Sequence, residues 1–368
     1  MTSSEYGQFR PPRPPRPQRP QRGRRRGGGG RRGDELMVPQ AQVEHLDENG
    51  YYGHPVVKAP PWETPVGAYL VLGGIAGGSG LLAAGAQLTG RKVLRRNARL
   101  AGLGAAGAGA LALVADLGRP ERFLHMMRTF KVTSPMSVGS WILMGYSGMI
   151  GVAAASEVDA LTGDRLPLGR LRPLLRALEG PAGLGAAAMG APLAAYTAVL
   201  LGDTAMPTWN AMHRDLPFVF VSSASLAAGG LALITTPAAE AGPARNLAVL
   251  GVIGDVAATR LMEQRMDPVA AEPLHHGGPG KLMRWAERLA VAGGVGALIA
   301  GGRQGRGRRA LAAAAGGALV AASTCTRFGV FHAGLESARD PRYTIEPQKR
   351  RLAARRAAGV TGDSITGL

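Results

Sequence analysis

The 23-residue stretch from Val66 to Leu88, VGAYLVLGGIAGGSGLLAAGAQL, contains no charged side chain. A helix of this length is long enough to cross the ~30 Å hydrocarbon layer of a bilayer. Gly73 and Gly77 are four residues apart, as are Gly74 and Gly78. Small residues at this spacing allow helices to pack closely in lipid. The stretch therefore predicts a first membrane-spanning helix within a tightly packed bundle.

Further apolar runs follow along the chain. Four are clear, and three are weaker because they are short or carry charges. The clear runs are 98–116, 137–156, 180–202 and 216–239, and the weaker runs are 246–263, 285–302 and 309–331. The sequence therefore predicts an all-α membrane protein, a bundle of about eight transmembrane helices, in which the sixth and seventh helices have the weakest signal.

Composition divides the 368-residue chain into three parts. Residues 1–50 form a basic tail rich in Arg, Pro and Gly, which has little apolar surface to bury and is predicted to be disordered. Residues 51–332 form the predicted transmembrane domain, and residues 333–368 form a basic C-terminal tail. The N-terminal tail lacks the apolar core of a cleavable signal peptide, so we expect the first helix to direct membrane insertion.

The net charge of +18 lies mainly in the tails and the short loops. Arg and Lys in these positions are typical topology signals and anchors for lipid headgroups. This distribution favours membrane lipid as a partner and argues against nucleic acid. We therefore predict a multi-pass protein of the cell membrane.

The sequence offers few ligands for a redox cofactor. Cys325 is the only cysteine, whereas iron–sulfur clusters are usually held by four thiolates. None of the seven histidines lies in the middle of a predicted helix, which disfavours a haem. No metal-binding cluster stands out. We therefore predict no haem, iron–sulfur cluster or metal in this chain, so that any such electron carrier would belong to another subunit.

Polar residues concentrate at one end of the predicted bundle. They comprise Trp62 and Glu63, the connection 116–137, the region 196–210 and Asp215. A carboxylate at the end of a membrane helix is costly unless it has a function, which makes Asp116 the strongest candidate for chemistry. The alternative is a solvated loop in which Asp116 pairs with an arginine such as Arg119.

Five segments of the sequence resemble one family. They are Trp62 followed by YLVLGGIAGGSGLLAA (69–84), DLGRPERFLHMM (116–127), SPMSVGSW (134–141), YTAVLL (196–201) and PTWN (207–210). Over residues 51–331 the chain resembles the NrfD-type, or PsrC-type, membrane subunits of polysulfide reductase and related molybdenum-enzyme complexes. DLGRPERF followed by SPMS is the most specific part of this resemblance.

The resemblance implies an eight-helix subunit without haem that is not catalytic alone. It would exchange electrons between the quinone pool, menaquinone or ubiquinone, and a ferredoxin-like iron–sulfur subunit. That partner would in turn serve a molybdopterin oxidoreductase subunit, as in anaerobic respiration. The quinone pocket would lie where the first helix begins. The implied residues are Trp62, Tyr69 and Tyr196 for quinone binding and Asp116 and His125 for proton transfer.

Each of these residues also has a simpler interpretation. A polysulfide reductase member of the family has a histidine near the position of Tyr69, and a tyrosine hydroxyl is a reasonable substitute as hydrogen-bond donor. Tyr69 and Tyr196 could equally be interface aromatics, and Trp62 an anchor in the aromatic belt. His125 could be an ordinary exposed loop histidine.

Two other functions remain open from the sequence. An ion or small-molecule transporter could use Asp116 and Asp255 as coupling sites. Asp255 lies within the sixth predicted helix, where it would belong to a proton path or pair with Arg260. The third possibility is a structural membrane anchor for a peripheral complex.

Overall fold

A computed structural model describes residues 55–359, except residues 118–120, 122, 127, 129 and 302–304. Within these residues the chain is helical and contains no strand. The N-terminal tail predicted to be disordered, residues 1–50, lies outside the described residues. The same holds for residues 360–368 at the end of the predicted C-terminal tail.

Helices of very different lengths follow one another in the described part of the chain, with a 3-10 turn at Gly169–Leu171. In chain order the α-helices are α1 Thr64–Leu88, α2 Lys92–Asp116, α3 Phe123–Met126, α4 Pro135–Leu161, α5 Arg172–Gly202, α6 Pro207–Ala211, α7 Leu216–Thr235, α8 Gly242–Arg265, α9 Pro268–His275, α10 Gly277–Ile299, α11 Arg306–Arg339 and α12 Arg342–Ala357. Each of the eight long helices overlaps one predicted apolar run. These helices are α1, α2, α4, α5, α7, α8, α10 and α11.

Six of the long helices are long and apolar enough to span a membrane, namely α1, α2, α4, α5, α7 and α11. The helices α8 and α10 have similar lengths but carry more charge. Asp255 and Glu263 lie in α8, and Arg284 and Glu287 lie in α10. The described residues thus contain six candidate spans, and the total of about eight crossings stays a prediction.

Consecutive long helices alternate in direction, which gives the bundle two ends. At one end, here called the Trp62 end, Trp209 of α6 stacks between Trp62 before α1 and Phe331 of α11. At the other end, here called the Arg99 end, the Glu240 carboxylate after α7 accepts hydrogen bonds from the first backbone N–H groups of α2. The starts of α1, α4, α7 and α10 therefore share the Trp62 end.

Helix α1 is the most buried of the six candidate spans and packs against α2, α5 and α7. A Cβ atom at Gly77 would lie 2.5 Å from the carbonyl oxygen of Gly190 in α5. A Cβ atom at Gly78 would lie 2.7 Å from the carbonyl oxygen of Ala224 in α7. Both distances are too short for any residue but glycine, so the close packing predicted from these glycines is present.

Gly77→Ala should lower the thermal unfolding midpoint of the purified protein. The added methyl group must push α1 away from α5, and overpacking of this kind costs about 1–3 kcal/mol. Gly85→Ala is a matched control in the same helix, because a Cβ atom there meets no atom within 4 Å. Equal midpoints for the two variants would contradict the close contact.

The last two helices extend into the region that the sequence predicted as a basic tail. Helix α11 continues to Arg339, past the predicted run that ends at residue 331. His332 therefore lies inside a helix, which corrects the expectation that every histidine lies outside or at the end of one. Helix α12 then contacts α9, where the Arg342 guanidinium pairs with the Glu272 carboxylate at 2.5 Å.

Candidate functional site

Tyr69 and Tyr196 meet inside the bundle. Their hydroxyl groups are in hydrogen-bond contact, and their ring centroids are 6.4 Å apart. Tyr69 in α1 is 1% exposed, whereas Tyr196 in α5 is half-buried. The structure thus brings together two of the residues that the family resemblance implied for quinone binding.

Two glycines make room for this tyrosine pair. A Cβ atom at Gly109 in α2 would lie 3.1 Å from the Tyr69 ring, and one at Gly139 in α4 would overlap the Tyr196 ring. Apolar side chains such as Leu72 pack around the two rings. The tyrosine pair therefore lies in apolar surroundings where α1, α2, α4 and α5 converge.

Asp116 is the last residue of α2 and is half-buried. Its carboxylate lies close to Glu63, just before α1. Asp116 follows Gly109 by seven residues, so it lies about 10 Å further along α2, toward the Trp62 end. The alternative ion pair with Arg119 falls outside the described residues.

His125 lies in the short helix α3, which follows α2 at the Trp62 end. Its side chain is exposed. Among the contacts between described residues, none joins His125 to Asp116 or to the tyrosine pair. The position is compatible with an exposed loop histidine, and no contact between described residues places His125 beside Asp116.

Trp62 belongs to a different cluster from the tyrosine pair. Its ring stacks on Trp209 with centroids 5.7 Å apart, and Trp209 stacks in turn on Phe331 at 5.9 Å. Trp62 packs with the apolar group that contains Leu70, whereas Tyr69 belongs to another group. Trp62 therefore secures the start of α1 against α6 and α11 and does not join the tyrosine pair.

A fully buried arginine connects three helices in the interior. Arg327 of α11 is 0% exposed, and its Nη1 donates to the carbonyl oxygen of Leu70 in α1 at 2.7 Å. Its Nη2 donates to the carbonyl oxygen of Phe220 in α7 at 2.6 Å, and the guanidinium lies 4.5 Å from the centre of the Phe220 ring. A Cβ atom at Gly74 would lie 2.5 Å from Nη2, so this glycine admits the arginine.

Asp255 of α8 is the electrostatic neighbour of Arg327. Asp255 is 4% exposed, and its Oδ1 has no hydrogen-bond partner. The charge interaction of Asp255 is with Arg327, whereas Arg260 pairs with Glu287 of α10 at 2.7 Å. The expected alternative pairing of Asp255 with Arg260 is therefore wrong, because Arg260 is exposed and directed at α10.

Asp255 also borders a cavity of about 250 Å³ between α8, α9, α10 and α11. Its other polar wall residues include Glu263, His275 and Glu287. The sequence reasoning overlooked Arg327, although an arginine inside the apolar run 309–331 was a visible signal. A charged residue within a membrane segment marks a functional or structural site by default.

The Arg99 end holds a second buried charge network. The Arg99 guanidinium, 0% exposed, donates to Glu157 Oε1 of α4 and to Gln87 Oε1 of α1, at 2.8 and 2.7 Å. It also donates to the backbone carbonyl of Glu179 in α5 at 3.2 Å. This network ties together the first four long helices at the end opposite the tyrosine pair.

No group of three or more His, Cys, Asp or Glu side chains in the described part of the chain is placed to hold a metal ion. Cys325 lies half-buried in α11. The polar groups described at the candidate site are the tyrosine pair and Asp116 near one end and Asp255 in the interior.

Comparison with known proteins identifies the class of this bundle. A model of the family described as "Polysulphide reductase, NrfD" matches residues 55–257, more than half of the chain. The match includes Trp62, the tyrosine pair, Asp116 and Asp255. No curated protein matches the chain in sequence. The chain belongs to the polysulphide reductase NrfD family and is a membrane subunit of a reductase complex of this kind.

Proposed function

We propose that the chain is the quinone-reactive membrane subunit of a respiratory oxidoreductase complex in the cell membrane. The observation that carries this proposal is the contact between the Tyr69 and Tyr196 hydroxyl groups in apolar surroundings. Asp116 lies on the adjoining helix α2, about 10 Å beyond Gly109 toward the Trp62 end. A hydroxyl pair with one free donor hydrogen, on the same side of the bundle as a titratable carboxylate, fits a ligand that has an apolar ring and carbonyl oxygens.

The roles of the three residues follow from their chemistry. Menaquinone or ubiquinone carries two electrons and two protons in its reduced form, so its site needs a group that exchanges protons. One tyrosine hydroxyl donates to the other, and the hydroxyl whose hydrogen stays free donates to a carbonyl oxygen and fixes its position. Asp116 at the helix end exchanges a proton with the surface.

The electrons continue to partner subunits under this proposal. The chain has one cysteine, too few thiolates to bind a cluster, so the iron–sulfur centres belong to a ferredoxin-like subunit. That subunit passes electrons to or from a molybdopterin subunit, where the catalysis takes place. We place the iron–sulfur subunit at the Trp62 end, because the tyrosine pair and Asp116 lie toward that end.

Removing the hydroxyl groups of the tyrosine pair tests the proposal. Tyr69→Phe and Tyr196→Phe should each lower quinone-coupled turnover of the assembled complex about tenfold, the effect of one lost hydrogen bond. Turnover with an artificial donor at the partner subunit should not change. Both activities are measured on the same purified complex.

Tyr146→Phe is the matched control for these variants. Tyr146 is also buried in the bundle, but its hydroxyl donates to the backbone carbonyl of Ala76 and does not touch the tyrosine pair. Quinone turnover of this variant should stay near that of the unmodified complex. A loss in Tyr146→Phe equal to that in the other two would mean that all three act through stability, and the proposal would fail.

One observation favours a second function, ion or proton coupling as in a transporter. Asp255 has an unpartnered buried oxygen and borders a cavity whose wall contains Glu263 and His275. These groups could carry protons between the surface and the interior. Asp255→Asn would then abolish coupling to a proton gradient while quinone turnover continues. If instead no quinone turnover can be measured in any assembled complex, the chain is a structural anchor.

A further inference from the structure

We infer that the Arg99 end contains a binding site for the phosphate headgroup of an anionic phospholipid, formed by Arg245, Arg308 and Arg309. The three side chains line one cavity of about 330 Å³ between the end of α7, the start of α8 and the start of α11. This inference does not depend on the proposed quinone chemistry, which lies toward the opposite end of the bundle.

The location of the cavity matches the boundary of a membrane. Helices α7 and α11 are both candidate spans, and the cavity lies where α7 ends and α11 begins. Its wall also includes apolar residues, among them Leu233, Ala300 and Ala312. A cavity that is basic and apolar at the end of a span suits a lipid, because a headgroup and its acyl chains need both kinds of wall.

Two of the arginines are held in place by backbone carbonyl groups. Arg309 Nη1 donates to the carbonyl oxygens of Leu233 and Thr236 at the end of α7, at 2.8 and 2.7 Å. Arg308 Nη1 donates to the carbonyl oxygen of Gly301 after α10 at 2.6 Å. The partial negative charge of a helix C-terminus offsets only part of a full positive charge. Both guanidinium groups therefore keep most of their charge.

Arg245 adds a third positive charge beside the same backbone. A Cβ atom at Gly301 would lie 2.9 Å from Arg245 Nη1, so Arg245 and Arg308 both contact this residue. Arg245 Nε is buried without a hydrogen-bond partner. Because Nε is inaccessible, a phosphate would bind the terminal guanidinium nitrogens of Arg245, which form charge-assisted hydrogen bonds with phosphate oxygens.

No described carboxylate forms an ion pair with this cluster, and Glu240, which lies between two cavity residues, instead accepts hydrogen bonds from the start of α2. No Asp or Glu lines the cavity, and none of the ion pairs between described residues includes Arg245, Arg308 or Arg309. Arginine's planar guanidinium is the side chain best suited to bind phosphate. Three of them in one cavity without a carboxylate therefore predict an anionic ligand.

Native mass spectrometry of the full chain in neutral detergent tests the site. Titration with phosphatidylglycerol should give one saturable, tightly bound lipid, whereas phosphatidylcholine and inorganic phosphate should each bind at least tenfold more weakly. Arg245→Gln should weaken phosphatidylglycerol binding about tenfold, as expected for one lost charge-assisted hydrogen bond. Arg308→Gln should show the same loss, which guards against a folding defect particular to one variant.

Arg165→Gln is the matched control, because Arg165 is exposed in the connection between α4 and α5 at the same end of the bundle. It removes the same charge and should leave phosphatidylglycerol binding unchanged. Equal affinity for phosphatidylglycerol and phosphatidylcholine would overturn the inference. So would equal lipid affinity in Arg245→Gln and Arg165→Gln. Inorganic phosphate that binds as tightly as the lipid would overturn the lipid assignment.

Discussion

Replacing Asp116 by asparagine should remove most quinone-coupled turnover of the assembled complex. Asparagine keeps the size of the side chain. It cannot take up a proton at working pH. Because a positioned acid or base contributes about 10²- to 10⁴-fold to a rate, we expect a loss of at least about 100-fold. Steady-state assays with a soluble quinol analogue measure it.

The control for Asp116→Asn is Glu121→Gln. Glu121 lies in the same connection between α2 and α4, and its side chain is exposed. This variant should keep quinone turnover, and both variants should keep artificial-donor activity because the partner subunits are unchanged. Unchanged quinone turnover in Asp116→Asn would show that Asp116 is a structural carboxylate at a helix end.

Replacing Arg327 by methionine should strongly destabilise the bundle. The change removes two hydrogen bonds that join α11 to α1 and α7, and it leaves Asp255 without its compensating charge. Removing one partner of a buried charge pair costs about 3–5 kcal/mol. We expect a lower thermal unfolding midpoint and a lower yield of assembled complex.

Three further variants separate charge from packing at this position. Arg327→Lys keeps the charge but cannot reach both carbonyl oxygens. Its thermal unfolding midpoint should therefore lie between those of Arg327→Met and the unmodified protein. Combining Arg327→Met with Asp255→Asn should restore part of the stability that Arg327→Met loses, because no buried charge is then left unpaired. Arg339→Met, at the exposed end of the same helix, is the control. If Arg327→Met and Arg339→Met have the same thermal unfolding midpoint, Arg327 does not hold the helices together.

Hydropathy located the long helices but not their ends. Each of the eight predicted apolar runs overlaps a long helix, and the two weakest runs became α8 and α10, which lack the composition of a candidate span. Helix α11 continues to Arg339 although its apolar run ends earlier. An apolar run ends where lipid contact ends, whereas backbone hydrogen bonding can continue through polar residues.

The arrangement of the candidate site was less accessible from the sequence. Tyr69 and Tyr196 are 127 positions apart, and only the family resemblance suggested that they share a pocket. Helix α1 is apolar on every side and therefore has no amphipathic pattern. The sequence could not predict which face of α1 contains Tyr69 and which face lies near Trp62. Arg327 escaped notice because averaging over an apolar run hides a single charge. The roles of these residues stay predictions.

The buried pairing of Arg99 has a consequence for biosynthesis. Arg99 lies in α2, and its partner Glu157 follows 58 residues later in α4. A ribosome therefore delivers α2 to the membrane before the carboxylate that neutralises Arg99 exists. Arg327 is made after Leu70, Phe220 and Asp255, so its acceptors and its counter-charge are already in place. Neutralisation of Arg99 in the first half of the chain thus requires a helix that is translated later. The last candidate span, α11, instead packs against helices that have already been made.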